Sequence, residues 1–134
     1  MTEDKRLKEV IDAAHQARER AYAPYSRFKM GAAVLTEKDV IVQGSLVENV
    51  SLGLAMCAER IALFSTIAQD AGKPKLLVLV SRRTGDKLTF PCGACLQVAL
   101  ELGGYKLQVV ACDPRGTYEI LTLQDIVSRL PYKG

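Results

Sequence analysis

The fold is decided by the stretch Leu76-Leu77-Val78-Leu79-Val80. Its five consecutive aliphatic residues have the length of one β-strand, and polar residues do not alternate with them. An uninterrupted apolar strand is typical of a sheet that is covered on both faces. We therefore expect helices on both sides of this strand.

The segments on either side of this stretch supply those helices and the remaining strands. Apolar residues at helical spacing and turn residues predict helices at 3–21, 58–69 and 94–102, and a capping box at 122–125 predicts a last helix through Leu130. Further strands are predicted at 28–35, 40–42, 106–112 and 118–121. Together these elements predict an α/β fold, a three-layer α/β/α arrangement with a mixed sheet of about five strands, in a single domain of residues 1–134.

Composition limits the kinds of partner that we expect. The net charge is +3 and the basic residues are scattered, so no arm for binding nucleic acid is expected. The chain has no apolar stretch of membrane-spanning length, and its first ten residues are charged, unlike a signal peptide. We therefore expect a cytoplasmic protein without membrane partners, whose four cysteines are metal ligands or free thiols.

Two short motifs carry the candidate chemistry. They are Cys57-Ala58-Glu59 and Pro91-Cys92-Gly93-Ala94-Cys95. Cys57, Cys92 and Cys95 would give a zinc ion three thiolates, one short of a closed tetrahedral site, which leaves the fourth position to water. Glu59 could then act as general base and as general acid, which points to hydrolysis of a small molecule.

The predicted helices also help to balance the charge of such a centre. Zn²⁺ with three thiolates has a formal charge of −1, and a negative centre acidifies water poorly. Both cysteine motifs lie at predicted helix N-termini, whose partial positive charge stabilises thiolates. The guanidinium of Arg60, next to Glu59, could offset more of this charge.

Several other interpretations of these residues remain open at this point. The pair Cys92 and Cys95 could be a redox pair, and Cys112 could close a structural site as a fourth ligand. Because Cys112 lies in a predicted apolar strand, a buried free thiol is the favoured interpretation. His15 is the one histidine of the chain, and we expect it to be solvated or half-packed, without a catalytic part.

The two motifs match the signature of zinc nucleobase deaminases, in which His or Cys followed by x-Glu precedes Pro-Cys-x-x-Cys. Two further stretches, residues 21–31 (Ala-Tyr-Ala-Pro-Tyr-Ser-Arg-Phe-Lys-Met-Gly) and Glu48-Asn49, extend the similarity to nearly the whole chain. The chain resembles the cytidine deaminases that act on free nucleosides, specifically their small homotetrameric branch with three cysteine ligands. This resemblance implies the cytidine-deaminase-like fold, attack of hydroxide on C4 of a cytosine ring, and loss of ammonia.

The resemblance also assigns roles to individual residues. It implies one Zn²⁺ per subunit, pockets shared between the subunits of a homotetramer, and a nucleoside substrate. The implied roles are zinc ligation by Cys57, Cys92 and Cys95, proton transfer by Glu59, packing on the pyrimidine by Phe28, a backbone contact to the ring from Ala58, ribose binding by Glu48, and support of the thiolates by Arg60.

Departures from the family pattern lie on the substrate side. Leu46 replaces an asparagine that shares the sugar with the glutamate, and Leu52 replaces a tyrosine. Phe90 and Leu96 replace a small hydroxyl residue and an arginine, and Tyr132 is the candidate replacement for a late phenylalanine. Because leucine cannot bind a hydroxyl group, deamination of another amino-heterocycle (a modified cytosine nucleoside, a nucleoside antibiotic or a free base) is the alternative to cytidine and deoxycytidine. A nucleic-acid-editing deaminase and a non-catalytic zinc module are disfavoured.

Overall fold

The computed structural model of the chain describes residues 2–127. These residues form α1 (Thr2–Glu19), β1 (Met30–Thr36), β2 (Ile41–Ser45), a 3-10 turn (Leu52–Leu54), α2 (Ala58–Ala68), β3 (Pro74–Ser81), α3 (Gly93–Gly103), β4 (Gln108–Cys112), β5 (Tyr118–Thr122) and α4 (Leu123–Ile126). All the predicted helices and strands are present, with ends that differ by a few residues.

The five strands form one mixed sheet in the order β2-β1-β3-β4-β5. β1 is antiparallel to both β2 and β3, β3 is parallel to β4, and β4 is antiparallel to β5. The parallel pair is connected through α3, which is the usual connection for parallel neighbours. The predicted mixed sheet of about five strands is confirmed.

Apolar residues fill both faces of this sheet. On one face Leu77 packs with residues of α2 and α3, among them Leu63 and Leu100. On the other face Val78 packs against Val10 and its neighbours on α1. The predicted three layers are therefore confirmed, and β3 is the strand that is buried on both faces.

Close approach between α2 and the sheet depends on Gly44 in β2. A Cβ atom at this position would lie 2.3 Å from the carbonyl oxygen of Ala58 and 2.5 Å from the backbone nitrogen of Ala62. Only glycine fits so close to another backbone. Gly44 thus sets how near the first turn of α2 lies to the sheet.

Two details differ from the sequence-based expectation. The last helix ends at Ile126 and not at Leu130. Val127 has extended backbone angles (φ −138°, ψ 138°), which suit a β-branched residue. Residues 128–130 lie outside the described part of the chain. In α2, Phe64 and Ile67 are 46% and 67% exposed. That helix therefore has an apolar outer face as well as an apolar inner one.

Across residues 2–127, no helix combines the length and the apolar character that crossing a bilayer requires.

Candidate metal centre and surrounding pocket

The register of the sheet gathers three loops at one of its ends. The pairs Gly31–Ser45 and Met30–Ser81 align the start of β1 with the ends of β2 and β3. The loops 20–29, 46–57 and 82–92 therefore begin or end at the same edge. Phe28, Glu48 and both cysteine motifs lie on these loops or at the helices that follow them.

A small ladder of backbone hydrogen bonds, which the sequence analysis missed, joins two of these loops. Tyr22 N–H donates to Leu46 O (2.8 Å) and Glu48 N–H donates to Tyr22 O (2.8 Å). Val47 and Met56 exchange a pair of hydrogen bonds of 3.1 and 2.9 Å. The ladder thus holds Glu48 at a fixed place relative to the segment that enters α2.

The three cysteines converge at the starts of two helices. Cys57 is the N-cap residue of α2, Cys92 is the N-cap residue of α3, and Cys95 lies in the first turn of α3. Their Sγ atoms all lie within 4.8 Å of one another, and those of Cys92 and Cys95 are 3.5 Å apart. A tetrahedral zinc site with Zn–S bonds of about 2.3 Å needs sulfur atoms about 3.8 Å apart. The cluster therefore has the dimensions of a zinc site.

The electrostatics of the sulfur atoms also favour a cation between them. Hydrogen bonding from Cys95, and further from Arg60, lowers the pKa of Cys57 to about 5. The Cys57 thiolate in turn raises the pKa of Cys95 far above the ordinary value, and burial adds to this effect. One negative sulfur thus opposes ionisation of the next, a conflict that a divalent cation removes.

Arg60 lies beside the cluster, as its place in the first turn of α2 requires. Its Nη2 donates to Cys57 Sγ at 3.3 Å. This contact raises the pKa of the guanidinium further above its usual value, because the thiolate partner favours the charged form. Arg60 therefore supplies positive charge directly to one sulfur.

Glu59 is the buried acid of the site. Its side chain is 1% exposed, and burial raises its pKa to about 7. In the described part of the chain its Oε1 atom has no hydrogen-bond partner. A buried carboxylate oxygen without a partner is costly unless a ligand or a water uses it, so this atom could accept a proton if a metal-bound water lay beside it.

Glu48 and Phe28 lie on two of the loops at this end of the sheet and are linked through a turn. Glu48 Oε1 accepts hydrogen bonds from the N–H groups of Tyr25 (3.0 Å) and Ser26 (3.2 Å), and Oε2 accepts one from the Ser26 hydroxyl. The Ser26 oxygen also accepts from Phe28 N–H at 3.0 Å. Glu48 thus fixes the turn that carries Phe28. The hydrogen bond from the Ser26 hydroxyl lowers the pKa of Glu48.

The residues that depart from the family pattern are placed in different surroundings. Leu46 and Phe90 are half-buried and pack against the core cluster beneath α2 and α3, and Leu96 belongs to that cluster at 6% exposure. Leu52 lies on the 3-10 turn and is 83% exposed. Tyr132 lies outside the described residues.

Cys112 is separate from the metal cluster. Its thiol packs on the α1 face of the sheet, where its Sγ lies 3.8 Å from Nε2 of the half-buried His15. Within residues 2–127, the cysteine cluster comprises only the other three cysteines. A closed site with Cys112 as fourth ligand is therefore excluded by the fold.

Comparisons with known proteins agree with this geometry. Residues 4–111 match the sequence model of a family described as "Cytidine and deoxycytidylate deaminase zinc-binding region". A cytidine deaminase of Halalkalibacterium halodurans is 37% identical over 118 residues, which cover 88% of each chain. One of Mycobacterium tuberculosis is 43% identical over 96 residues, covering 72% of this chain and 71% of the other. The crystal structure of a Burkholderia pseudomallei cytidine deaminase superposes with a TM-score of 0.83 at 41% identity, covering 90% of this chain and 95% of that one.

Proposed function

The chain belongs to the family of zinc-binding cytidine and deoxycytidylate deaminases, and on this premise we propose that it hydrolyses cytidine and deoxycytidine to uridine and deoxyuridine. One water is consumed and one ammonia is released in each turnover. The observation that carries the proposal is the buried, unpartnered Glu59 Oε1 beside three converging thiols. A site that served only the fold would not need this orphaned oxygen.

Cys57, Cys92 and Cys95 would hold one Zn²⁺ per subunit. When bound, zinc lowers the pKa of water from about 15.7 toward about 7 and so supplies hydroxide near neutral pH. The three cysteines contribute thiolates whose charge is offset by the N-termini of α2 and α3 and by Arg60. This balance keeps the centre electrophilic.

Glu59 carries the protons of the reaction. Burial holds its affinity for a proton well above that of an exposed carboxylate, so it can both accept and return protons near neutral pH. It takes a proton from water and delivers protons to the ring nitrogen and to the departing amino group. Its place one residue inside α2 and two residues after Cys57 keeps this movement short.

The remaining site residues bind and orient the substrate in this proposal. The ring of Phe28 packs on the pyrimidine, and the backbone N–H of Ala58 contacts the ring. Glu48 offers its carboxylate to the ribose hydroxyl with the acceptor capacity that the turn at Tyr25 and Ser26 leaves free. This division assigns the chemistry to the starts of α2 and α3 and, apart from the Ala58 contact, assigns recognition to the loops.

We further propose that the protein is a cytoplasmic homotetramer built from single domains of residues 1–134. Two exposed apolar surfaces support assembly. The first is the segment with Val50, Leu52 and Leu54, which are 70–83% exposed. The second is a groove of about 370 Å³ whose lining includes Phe64 and Ile67. Light scattering should give about four times the chain mass of 14.6 kDa. The four free thiols fit a reducing compartment.

A second candidate is deamination of a different amino-heterocycle. It is favoured by Leu46 and Phe90, which contribute apolar surface where the family pattern has polar groups. The zinc-loaded protein should therefore be assayed against cytidine, deoxycytidine, cytosine and modified cytosine nucleosides. Turnover of cytidine above about 1 s⁻¹ at sub-millimolar concentration supports the first proposal, whereas turnover of a modified compound alone would replace it.

A further inference from the structure

Arg82 lies over the ring of Phe28, although no family motif in the sequence includes it. Its guanidinium carbon lies 4.1 Å from the centroid of the Phe28 ring. This distance is within the range of a cation–π contact. The sheet register explains the contact, because Arg82 follows Ser81, whose partner across the strands is Met30, two residues after Phe28.

The backbone of Arg82 is fixed, while its side chain remains uncommitted. Its carbonyl oxygen accepts hydrogen bonds from the hydroxyls of Ser81 (3.1 Å) and Thr89 (2.8 Å). Within residues 2–127 the Arg82 guanidinium has no acid and no hydrogen-bond acceptor as a partner, and the exposed side chain lies over the Phe28 ring. Such a group can turn toward a ligand without breaking an ion pair.

The next residue, Arg83, provides a contrast. Its Nε donates to Asp113 at 3.0 Å and its Nη1 donates to Asp86 O at 2.8 Å. Its charge is therefore neutralised away from the ring. Of the two adjacent arginines, Arg82 lies over the Phe28 ring and Arg83 is held by an ion pair.

The polar partners that the substrate would otherwise find are reduced in this chain. The Leu46 side chain offers no hydrogen bond, and the Glu48 carboxylate, which already accepts from the turn at Tyr25 and Ser26, can accept hydrogen bonds but cannot donate them. A substrate oxygen that needs a hydrogen-bond donor therefore finds none on these two side chains, whereas the Arg82 guanidinium offers five N–H groups. Buried or half-buried oxygens bind poorly without such a donor.

We propose that Arg82 is a specificity-determining residue that donates hydrogen bonds from its guanidinium to a substrate oxygen beyond the pyrimidine ring. The shared chemistry is an oxygen acceptor on the sugar side, supplied by a sugar hydroxyl or by a 5′-phosphate. This inference rests on the proposed function, because it takes Phe28 to be the residue that packs on the base.

The test compares Arg82→Gln with the matched control Arg83→Gln, using cytidine and cytidine 5′-monophosphate as substrates. For the preferred substrate, Arg82→Gln should lower kcat/KM by about 10- to 100-fold, the range for a hydrogen bond to a charged donor. The loss should come from KM, with kcat and zinc content nearly unchanged, and Arg83→Gln should stay within about twofold of the unmodified protein. An equal loss for both substrates identifies a sugar hydroxyl, and a loss confined to the monophosphate identifies the phosphate.

A second comparison separates direct contact from support of the ring. In a Phe28→Leu background, Arg82→Gln should still weaken the preferred substrate, because the hydrogen bond does not pass through the ring. Disappearance of the effect in that background, a change below twofold in the single variant, or an equal loss in Arg83→Gln each overturns the proposal.

Binding of the products gives a readout that needs no turnover. Calorimetry with uridine and uridine 5′-monophosphate should show the same loss of affinity in Arg82→Gln, and unchanged affinities for both overturn the proposal. A zinc-loaded protein that binds uridine in an Arg82-dependent manner but turns over neither substrate refutes the proposed function alone.

Discussion

Replacing Glu59 by glutamine tests the proton-transfer role directly. The substitution keeps the size and shape of the side chain but leaves an amide that cannot accept a proton. Since Oε1 is buried and has no partner in the described residues, no other described group takes over its position. A positioned general acid–base group contributes about 10²- to 10⁴-fold to rate, so kcat should fall by that factor.

The fold and the metal cluster should survive this change. Glu59 packs in α2, where glutamine is also a good helix former, and the three sulfur atoms keep their positions. The assay is release of ammonia or loss of cytidine absorbance, expressed per bound zinc. Zinc content is measured on the same samples, so that metal loss is not mistaken for lost proton transfer.

The matched control is Glu119→Gln, which makes the same chemical change on the exposed strand β5. It should leave kcat within about twofold. If Glu59→Gln retained full zinc and more than a tenth of the original kcat, proton transfer would have to use another group. The assignment of Glu59 would then be wrong, although the metal site could stand.

Three further outcomes follow from the packing. Gly44→Ala should lower the free energy of unfolding, measured by denaturant titration, by about 2 kcal/mol or more and reduce zinc occupancy, because the new Cβ atom would collide with the backbone of α2. In the control Gly53→Ala the Cβ atom meets open space, so the same titration should show little change in stability. Thr122→Val removes the capping box that opens α4 and should cost about 1 kcal/mol, measured by thermal unfolding, whereas no change would mean that this cap does not stabilise the fold. Cys112 is 1% exposed, and burial raises its pKa to about 11, so its thiol should resist iodoacetamide at pH 8 until the protein unfolds. Because the pKa of Cys112 is raised above its ordinary value near 9, the contribution of this thiol to stability should fall as the pH rises from 9 to 11.

The metal half of the site was predictable because local rules decide it. Cys57 and Cys92 sit at N-caps that the sequence pattern located to within one residue, and the spacing from Cys92 to Cys95 places two sulfurs on one helical turn. The three-layer fold followed similarly from the apolar run at 76–80. Each of these inferences needed only neighbours along the chain.

The recognition half depends on contacts between distant segments, which periodicity cannot supply. The ladder at Tyr22, Val47 and Met56 and the stacking of Arg82 on Phe28 arise from strand register. The close approach of α2 depends on Gly44, which lies beyond the predicted strand at 40–42 but inside the observed strand β2. A register is fixed by the packing of whole strands, so such pairs emerge only from the folded chain.

This separation has a physical consequence for how the site can change. The sulfur atoms and Glu59 are held by the starts of α2 and α3, whereas Glu48, Phe28 and Arg82 are held by loops at the sheet edge. A substitution in these loops therefore changes the contacts made there without moving a sulfur atom. Leu46 brings no side-chain donor to the loop after β2, and Arg82, at the start of the loop after β3, lies over the Phe28 ring at the same edge of the sheet. A conserved reaction and an altered substrate preference are therefore compatible in one chain, because different elements of the fold control them.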